Sequence, residues 1–233
     1  MDNILDDKLD DSNLPLICEQ KLVHFKQRYT WDCGISCILM ILPFDSKEYF
    51  LQKFYTICND EGFSKSTWTI DLCYLLKRFK IKHTYFTITF GVNPGYQDEL
   101  FYEKIITKDE SRVLQRFNSA ASLGIKIKVK NVSTIDLLKH LYKFGTVILL
   151  INANLLHCDI CKRNKSDLRS CLPWTKTYSG HYIVLCGFNL ETKSYMYRNP
   201  TYKDRVCVMS FQYMDEARMS YGTDQDTIFI FNK

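Results

Sequence analysis

Three residue types that together carry out acyl transfer stand at informative positions in this chain: Cys33, His181 and Asn199. Cys33 lies in Gln27-Arg28-Tyr29-Thr30-Trp31-Asp32-Cys33-Gly34-Ile35-Ser36-Cys37, where a polar, aromatic loop runs into the apolar Ile38-Leu39-Met40-Ile41-Leu42. A cysteine at a helix start meets unpaired, partly positive backbone N–H groups, which predicts a stabilised thiolate and a lowered pKa. Gly34 beside it predicts room for a substrate carbonyl next to the sulfur. Gln27, six residues upstream, carries an amide able to donate to a developing oxyanion. The plain alternative is a small buried hydrophobe, the ordinary fate of a free cysteine.

A base for this thiol is offered by Ser179-Gly180-His181-Tyr182-Ile183-Val184-Leu185-Cys186-Gly187-Phe188-Asn189. The β-branched and aromatic run from Tyr182 to Phe188 predicts a buried strand with His181 at its start. After the turn Asn189–Lys193, a second strand, Ser194-Tyr195-Met196-Tyr197-Arg198, ends in Asn199-Pro200. An antiparallel hairpin brings its two far ends together, so Asn199 is expected to return to His181. Nucleophile, base and orienting group are the parts of a cysteine acyl-transfer site. Taken singly, His181 reads as a core histidine and Asn199-Pro200 as a turn.

A second constellation sits just before that strand. His157-Cys158-Asp159-Ile160-Cys161 and Cys171 lie in a polar stretch, Leu155 to Trp174. A Cys-x-x-Cys pair with a nearby histidine and a third cysteine has the donor set of a tetrahedral zinc site, and a loop of this length needs a staple. The expected ligands of a structural zinc are His157, Cys158, Cys161 and Cys171; surface thiols are the alternative.

The order Gln27…Asp32-Cys33-Gly34…Gly180-His181-Tyr182…Asn199-Pro200 resembles the papain-like cysteine peptidases, most closely the bacteriocin-processing branch. Nearly the whole chain also resembles the guanylyl cyclase domain-containing family of animals and plants. That second resemblance is carried by Trp31-Asp32-Cys33-Gly34, Ser66-Thr67-Trp68-Thr69-Ile70-Asp71-Leu72 and Gly91-Val92-Asn93-Pro94-Gly95-Tyr96, and by Leu156–Cys161, Gly180–Leu185 and Ser220-Tyr221-Gly222-Thr223-Asp224. The first implies a papain-like fold with the cysteine helix on one side of a cleft and the His/Asn sheet on the other. The second implies, by its name, cyclisation of GTP.

These residues must be positioned by elements of predictable kind. The helix after Cys33 is apolar nearly all round, predicting a central buried helix ended at Pro43 and Asp45-Ser46. Amphipathic helices are predicted over Lys47–Cys58, over Thr69–Phe79 with Thr67 or Thr69 as cap, and over Ser111–Leu123. Another runs from the N-cap Ser133, with Asp136 at its third position, to Tyr142. Strands are predicted for a lead-in over Leu16–His24, for Lys82–Thr89, Ile125–Val129, Val147–Asn152, Val206–Phe211 and Thr227–Phe231, with a short helix over Phe211–Ser220. Gly91–Tyr96 is a loop without the glycine-lysine spacing of a phosphate cradle. Helices early and strands late predict an α+β fold, a helical layer against an antiparallel sheet.

The 233 residues, 46% hydrophobic and 24% charged, suit one globular domain over 15–233 behind an acidic, disordered tail over 1–14. A net charge of +5 is too small and too spread to point to nucleic acid. No apolar run approaches the ~18 residues that span a bilayer. Ten cysteines set inside apolar periodic segments, behind no signal sequence, predict free thiols in the cytoplasm or nucleus. The expected activity is cysteine-peptidase-like hydrolysis of a peptide or other amide or thioester bond. Cys33 is then the nucleophile, His181 the base and later acid, Asn199 the orienting group and Gln27 an oxyanion donor, with no cofactor required for catalysis. A peptide or protein is the expected partner; oligomeric state is left open. Two alternatives stay open, a metal-dependent guanylyl cyclase and a non-catalytic adaptor. The cyclase needs paired carboxylates, and the acidic residues, such as Asp71, Glu99, Asp224 and Asp226, show no strand-placed pair or basic clamp that picks itself out.

Overall fold

The computed structural model of the chain describes residues 14–63, 66–96, 100–161 and 178–232. A short strand β1 (Ile17–Glu19) precedes helices α1 (Cys33–Ile41), α2 (Phe44–Gln52), α3 (Phe54–Asp60) and α4 (Thr69–Arg78). Strand β2 (His83–Thr87), helix α5 (Leu100–Ala120), strand β3 (Lys126–Val129), helix α6 (Thr134–Lys143) and strand β4 (Val147–Asn152) follow. The chain closes with β5 (Gly180–Asn189), β6 (Ser194–Arg198), β7 (Cys207–Ser210), α7 (Phe211–Arg218) and β8 (Thr227–Ile230).

The strands make one sheet in the order β3-β2-β8-β4-β5-β6-β7, with β1 added to the far half of β5. All pairings are antiparallel except β2 with β3. That parallel pair is joined across α5, the long crossover that parallel strands require. Period-two alternation sorts the sheet's side chains into two cores. Tyr85, Ile148, Leu150, Tyr182, Val184, Ile228 and Ile230 face α1 to α5. Phe86, Leu149, Ile151, Ile183, Leu185 and Phe229 face α6 and α7.

Helices therefore cover both faces of a mostly antiparallel sheet, a mixed α/β arrangement, where a single helical layer was expected. The reason lies in β4 and β5. Both carry unbroken buried apolar runs, Val147–Ile151 and Tyr182–Phe188, so each face needs a cover, and α6 and α7 supply the second. The nearly all-apolar α1 is buried along its whole length, held between the sheet and α4. Pro43 does not simply stop it. As the N-cap of α2 it starts the next helix at Phe44, and the predicted Lys47–Cys58 helix is broken at Lys53 into α2 and α3. Ser133 caps α6 as expected: its Oγ accepts from the Asp136 N–H at 3.1 Å, and the Asp136 carboxylate accepts the Ser133 N–H at 3.0 Å. At α4 the cap position is Trp68, neither Thr67 nor Thr69, with its N–H donated to Asp71 at 2.9 Å. Leu14, assigned from sequence to the tail, packs on the second core; the rest of that tail lies outside the described residues. Among the described residues no helix is long and apolar enough to cross a membrane, and nine cysteines are free thiols.

Candidate functional site

The hairpin of β5 and β6 closes as its sequence predicts. Val184 pairs with Arg198 and Leu185 with Tyr197, so Asn199 comes back beside the head of β5. His181 Nε2 lies 2.9 Å from Asn199 Oδ1. That oxygen also accepts the Thr201 backbone N–H at 3.0 Å, which fixes which end of the amide is the acceptor. The Nε2 proton is thereby placed on the Asn199 side, leaving Nδ1 of the neutral ring as the basic nitrogen. Burial lowers the His181 pKa, and the Asn199 hydrogen bond only partly offsets this.

Cys33 opens α1, which packs on β5, and the backbone amides of Tyr182 and Gly34 act to stabilise its thiolate form. Tyr182 directly follows His181, so Cys33 and His181 sit on touching segments. Among the described residues no hydrogen bond joins the thiol to the imidazole. The expected lowering of the thiol pKa is reversed: burial pushes Cys33 up to about 11, and the two amides offset only part of it. The helix start favours a thiolate, but the thiol of a residue only 6% exposed loses more hydration than the amides return. The space at Gly34 is also not for substrate. A Cβ there would lie 2.8 Å from the Leu72 side chain and 3.0 Å from the Tyr182 ring, so the glycine serves the packing of α1 on α4 and β5.

Gln27 is anchored to the Asn-Pro turn rather than aimed at the sulfur. Its N–H donates to Pro200 O at 2.9 Å, its Oε1 accepts from Thr201 Oγ1 at 3.1 Å, and its Nε2 donates to Tyr29 O at 2.7 Å. Thr201, which the sequence reading missed, bridges Gln27 and His181, its Oγ1 lying 3.4 Å from Nε2. The loop before Cys33 is shaped by Asp32, whose carboxylate accepts the N–H groups of Arg28 and Tyr29 at 3.1 and 3.0 Å.

A cavity of about 240 Å³ has Cys33 in its wall, together with Trp31, Trp68, Tyr178 and the two neighbours of His181, Gly180 and Tyr182. Its floor holds two carboxylates, Asp224 and Asp226. Asp226 accepts from Tyr85 Oη at 2.8 Å; burial, reinforced by the charge of Asp224, raises its pKa to about 7. Asp224 and Gln225 adopt left-handed backbone, φ 46° and 53°, which costs energy in residues other than glycine. Asn93 Nδ2 and Tyr96 Oη, both 2.8 Å from Asp224 Oδ1, hold that turn in place. The sequence named both aspartates but gave them no strand; Asp226 directly precedes β8 and falls on the Ile228 face, beside Tyr85 and Tyr182. Asp71 is far from a free metal ligand, being fully buried and paired with Arg112 and Arg116. Glu99 lies outside the described residues.

Of the expected zinc ligands, Cys158 and Cys161 come together, and the third thiol beside them is Cys207 from the start of β7. His157 is turned away from the trio, 3.5 Å from the Asp159 carboxylate and edge-on to Tyr213. Cys171 lies outside the described residues. Nothing local in the sequence could have signalled Cys207, because only sheet pairing brings β7 to this loop.

Two matches to known proteins follow this geometry. Guanylyl cyclase 1 of Arabidopsis thaliana is 32% identical over 236 residues, covering 97% of this chain and 81% of the plant protein. The family model described as guanylylate cyclase matches residues 22–230, from the loop ahead of Cys33 to the end of β8. With that model spanning nearly all of the described fold, the chain belongs to the guanylylate cyclase family.

Proposed function

We propose that the chain is a thiol-dependent hydrolase of papain-like type, acting on a peptide or another amide or thioester. The observation that carries this reading is the 2.9 Å bond from His181 Nε2 to Asn199 Oδ1, at the head of the strand on which the Cys33 helix packs. Because burial keeps Cys33 a neutral thiol at rest, the proton leaves as the substrate is attacked. The sulfur bonds to the carbonyl carbon while its proton passes to His181 Nδ1. The imidazolium then gives that proton to the leaving amine or thiol as the C–N or C–S bond breaks. Water, deprotonated by the same ring, releases the acid and restores the thiol. Asn199 keeps the ring in the one tautomer able to do this. Trp31, Trp68 and Tyr178 offer aromatic walls to an apolar side chain of the substrate.

A second reading is supported by the plant relative's name and by the Asp224–Asp226 pair in the same cavity. Burial raises Asp226 and the charge of Asp224 adds to it; that second, repulsive part is of the kind a divalent cation relieves, and a nucleotide cyclase works through carboxylate-held metal. The two readings separate cleanly. A panel of electrophilic amide and ubiquitin-like probes is reacted with wild type, Cys33→Ala, His181→Ala and Asn199→Ala. In parallel, cyclic GMP is measured from GTP with Mg²⁺ or Mn²⁺. The hydrolase reading expects adducts on Cys33 alone, abolished in His181→Ala and slowed ~10–10³-fold in Asn199→Ala, the range of supporting catalytic groups. Metal-dependent cyclic GMP formation that survives Cys33→Ala and is lost in Asp226→Asn would replace it with the cyclase.

A further inference from the structure

Away from the cavity, the second core ends in a cluster that neither reading uses. Cys158 and Cys161 leave the turn after β4, and Cys207 begins β7; their sulfur atoms all lie within 4.8 Å of one another. Three thiolates around one zinc ion at about 2.3 Å stand about 3.8 Å apart, so side-chain rotations alone bring this trio to bonding distance. The turn already has the hydrogen bonding of a thiolate site. Cys158 Sγ accepts the backbone N–H of Cys161 and that of Val208, each at 3.4 Å, and amide donors to sulfur lower the charge a bound thiolate must carry. The surroundings are also rigid: Asp159 N–H donates to Val208 O at 2.8 Å and Tyr197 Oη to His157 O at 2.6 Å. Arg205 lies beside Cys207 with its guanidinium 4.0 Å from the Tyr202 ring centre, a cation suited to the net negative charge of a zinc ion held by three thiolates.

We propose that Cys158, Cys161 and Cys207 bind a structural zinc ion that ties the segment after β4 to the start of β7. Binding exchanges three thiol protons for the metal and oxidises nothing. Cys158 and Cys207 are buried and Cys161 is partly exposed, so the fourth ligand enters from the Cys161 side. The ion crosslinks residues far apart in sequence, on the opposite side of β6 from the His181–Asn199 pair, and it holds the hairpin on which that pair depends. Cys207 is the ligand that distinguishes this site from a loop-local Cys-x-x-Cys.

The test is metal analysis of the purified full chain, with Co²⁺ substitution as a spectroscopic readout. Wild type should retain about one Zn²⁺ per chain through dialysis, and Co²⁺ should give the intense visible bands of a tetrahedral thiolate site. Cys207→Ser and Cys161→Ser should each lose at least nine-tenths of the metal, whereas Cys18→Ser keeps it. If Cys207→Ser fails to fold, the partly exposed Cys161→Ser carries the comparison. Wild type with less than a tenth of an equivalent and no cobalt–thiolate bands overturns the proposal, as does a Cys158–Cys161 disulfide in the native protein. Metal retained in both the Cys207→Ser and Cys161→Ser variants also overturns it.

Discussion

His181 and Cys33 are both displaced toward their neutral forms by burial, and this sets the pH behaviour of the site. A histidine whose folded pKa lies below its unfolded value stays a free base further into acid. The acid limb of kcat/KM should therefore fall below the ordinary histidine value near ~6.5, with no limb from a thiolate–imidazolium pair near pH 4. The sign for stability follows. Between the two His181 values the unfolded chain binds the extra proton, so stability declines as pH drops below ~6.5. Iodoacetamide should alkylate Cys33 no faster at pH 7 than exposed thiols, its rate climbing toward pH 11; rapid, pH-flat labelling would contradict the neutral thiol. Asp226 behaves oppositely. Its folded value, about 7, lies above the unfolded one, so the stability it contributes is complete below pH ~3.9 and lost as pH rises through 7. Asp226→Asn should thus stabilise the protein at pH 8, by up to ~4 kcal/mol from a displacement of about three, and change little at pH 4. Thermal melts at the two pH values check it.

Among the elements, β5 does the most positioning, since it carries His181 at one end and receives β1 at the other. Its register breaks between Leu185 and Gly187, and the break lets β1 approach closely. A Cβ on Gly187 would lie 2.2 Å from the Cys18 carbonyl oxygen, a backbone atom that cannot step aside. Gly187→Ala should cost ~1–3 kcal/mol, the range for overpacking, and expose the Ile17–Glu19 amides to hydrogen exchange first. Unchanged exchange there would mean the edge strand does not depend on that contact. The hairpin itself was legible beforehand, because alternating apolar strands around Asn189–Lys193 have few other ways to pair. Legible too was the Ser133–Asp136 cap, which is local. The extent of α5 was not: the apolar spacing of Tyr102, Ile105 and Ile106 is interrupted by the charged Lys108-Asp109-Glu110, and the helix begins at Leu100, well before the Ser111 from which it was read.

At the scale of the whole molecule, two cores share one sheet, and a buried charge network braces the helices over the first. Asp71 at the start of α4 pairs with Arg116 at 2.8 Å and with Arg112, while Arg116 also reaches Glu61 after α3 at 2.8 Å. Burial raises the Asp71 pKa and the two arginines oppose that rise. Asp71→Ala would leave two guanidinium groups beside an apolar void and should cost ~3–5 kcal/mol, as breaking a buried pair does. Denaturant titration measures it, and a loss below 1 kcal/mol would show the network to be dispensable. The sequence by itself determined the kind of most elements, though not the extent of α5 or the break at Lys53, that Cys33 starts a buried helix, and that Asn199 meets His181. Each follows from residue periodicity or from a hairpin, and both act over short distances along the chain. Only the tertiary structure decided the rest. Burial overrode the helix start at Cys33, Leu72 and Tyr182 took the space beside Gly34, Asp224 and Asp226 entered the same cavity, and Cys207 displaced His157 from the thiol cluster. Those outcomes depend on desolvation and on strands paired across the sheet, which no local pattern of residue types records.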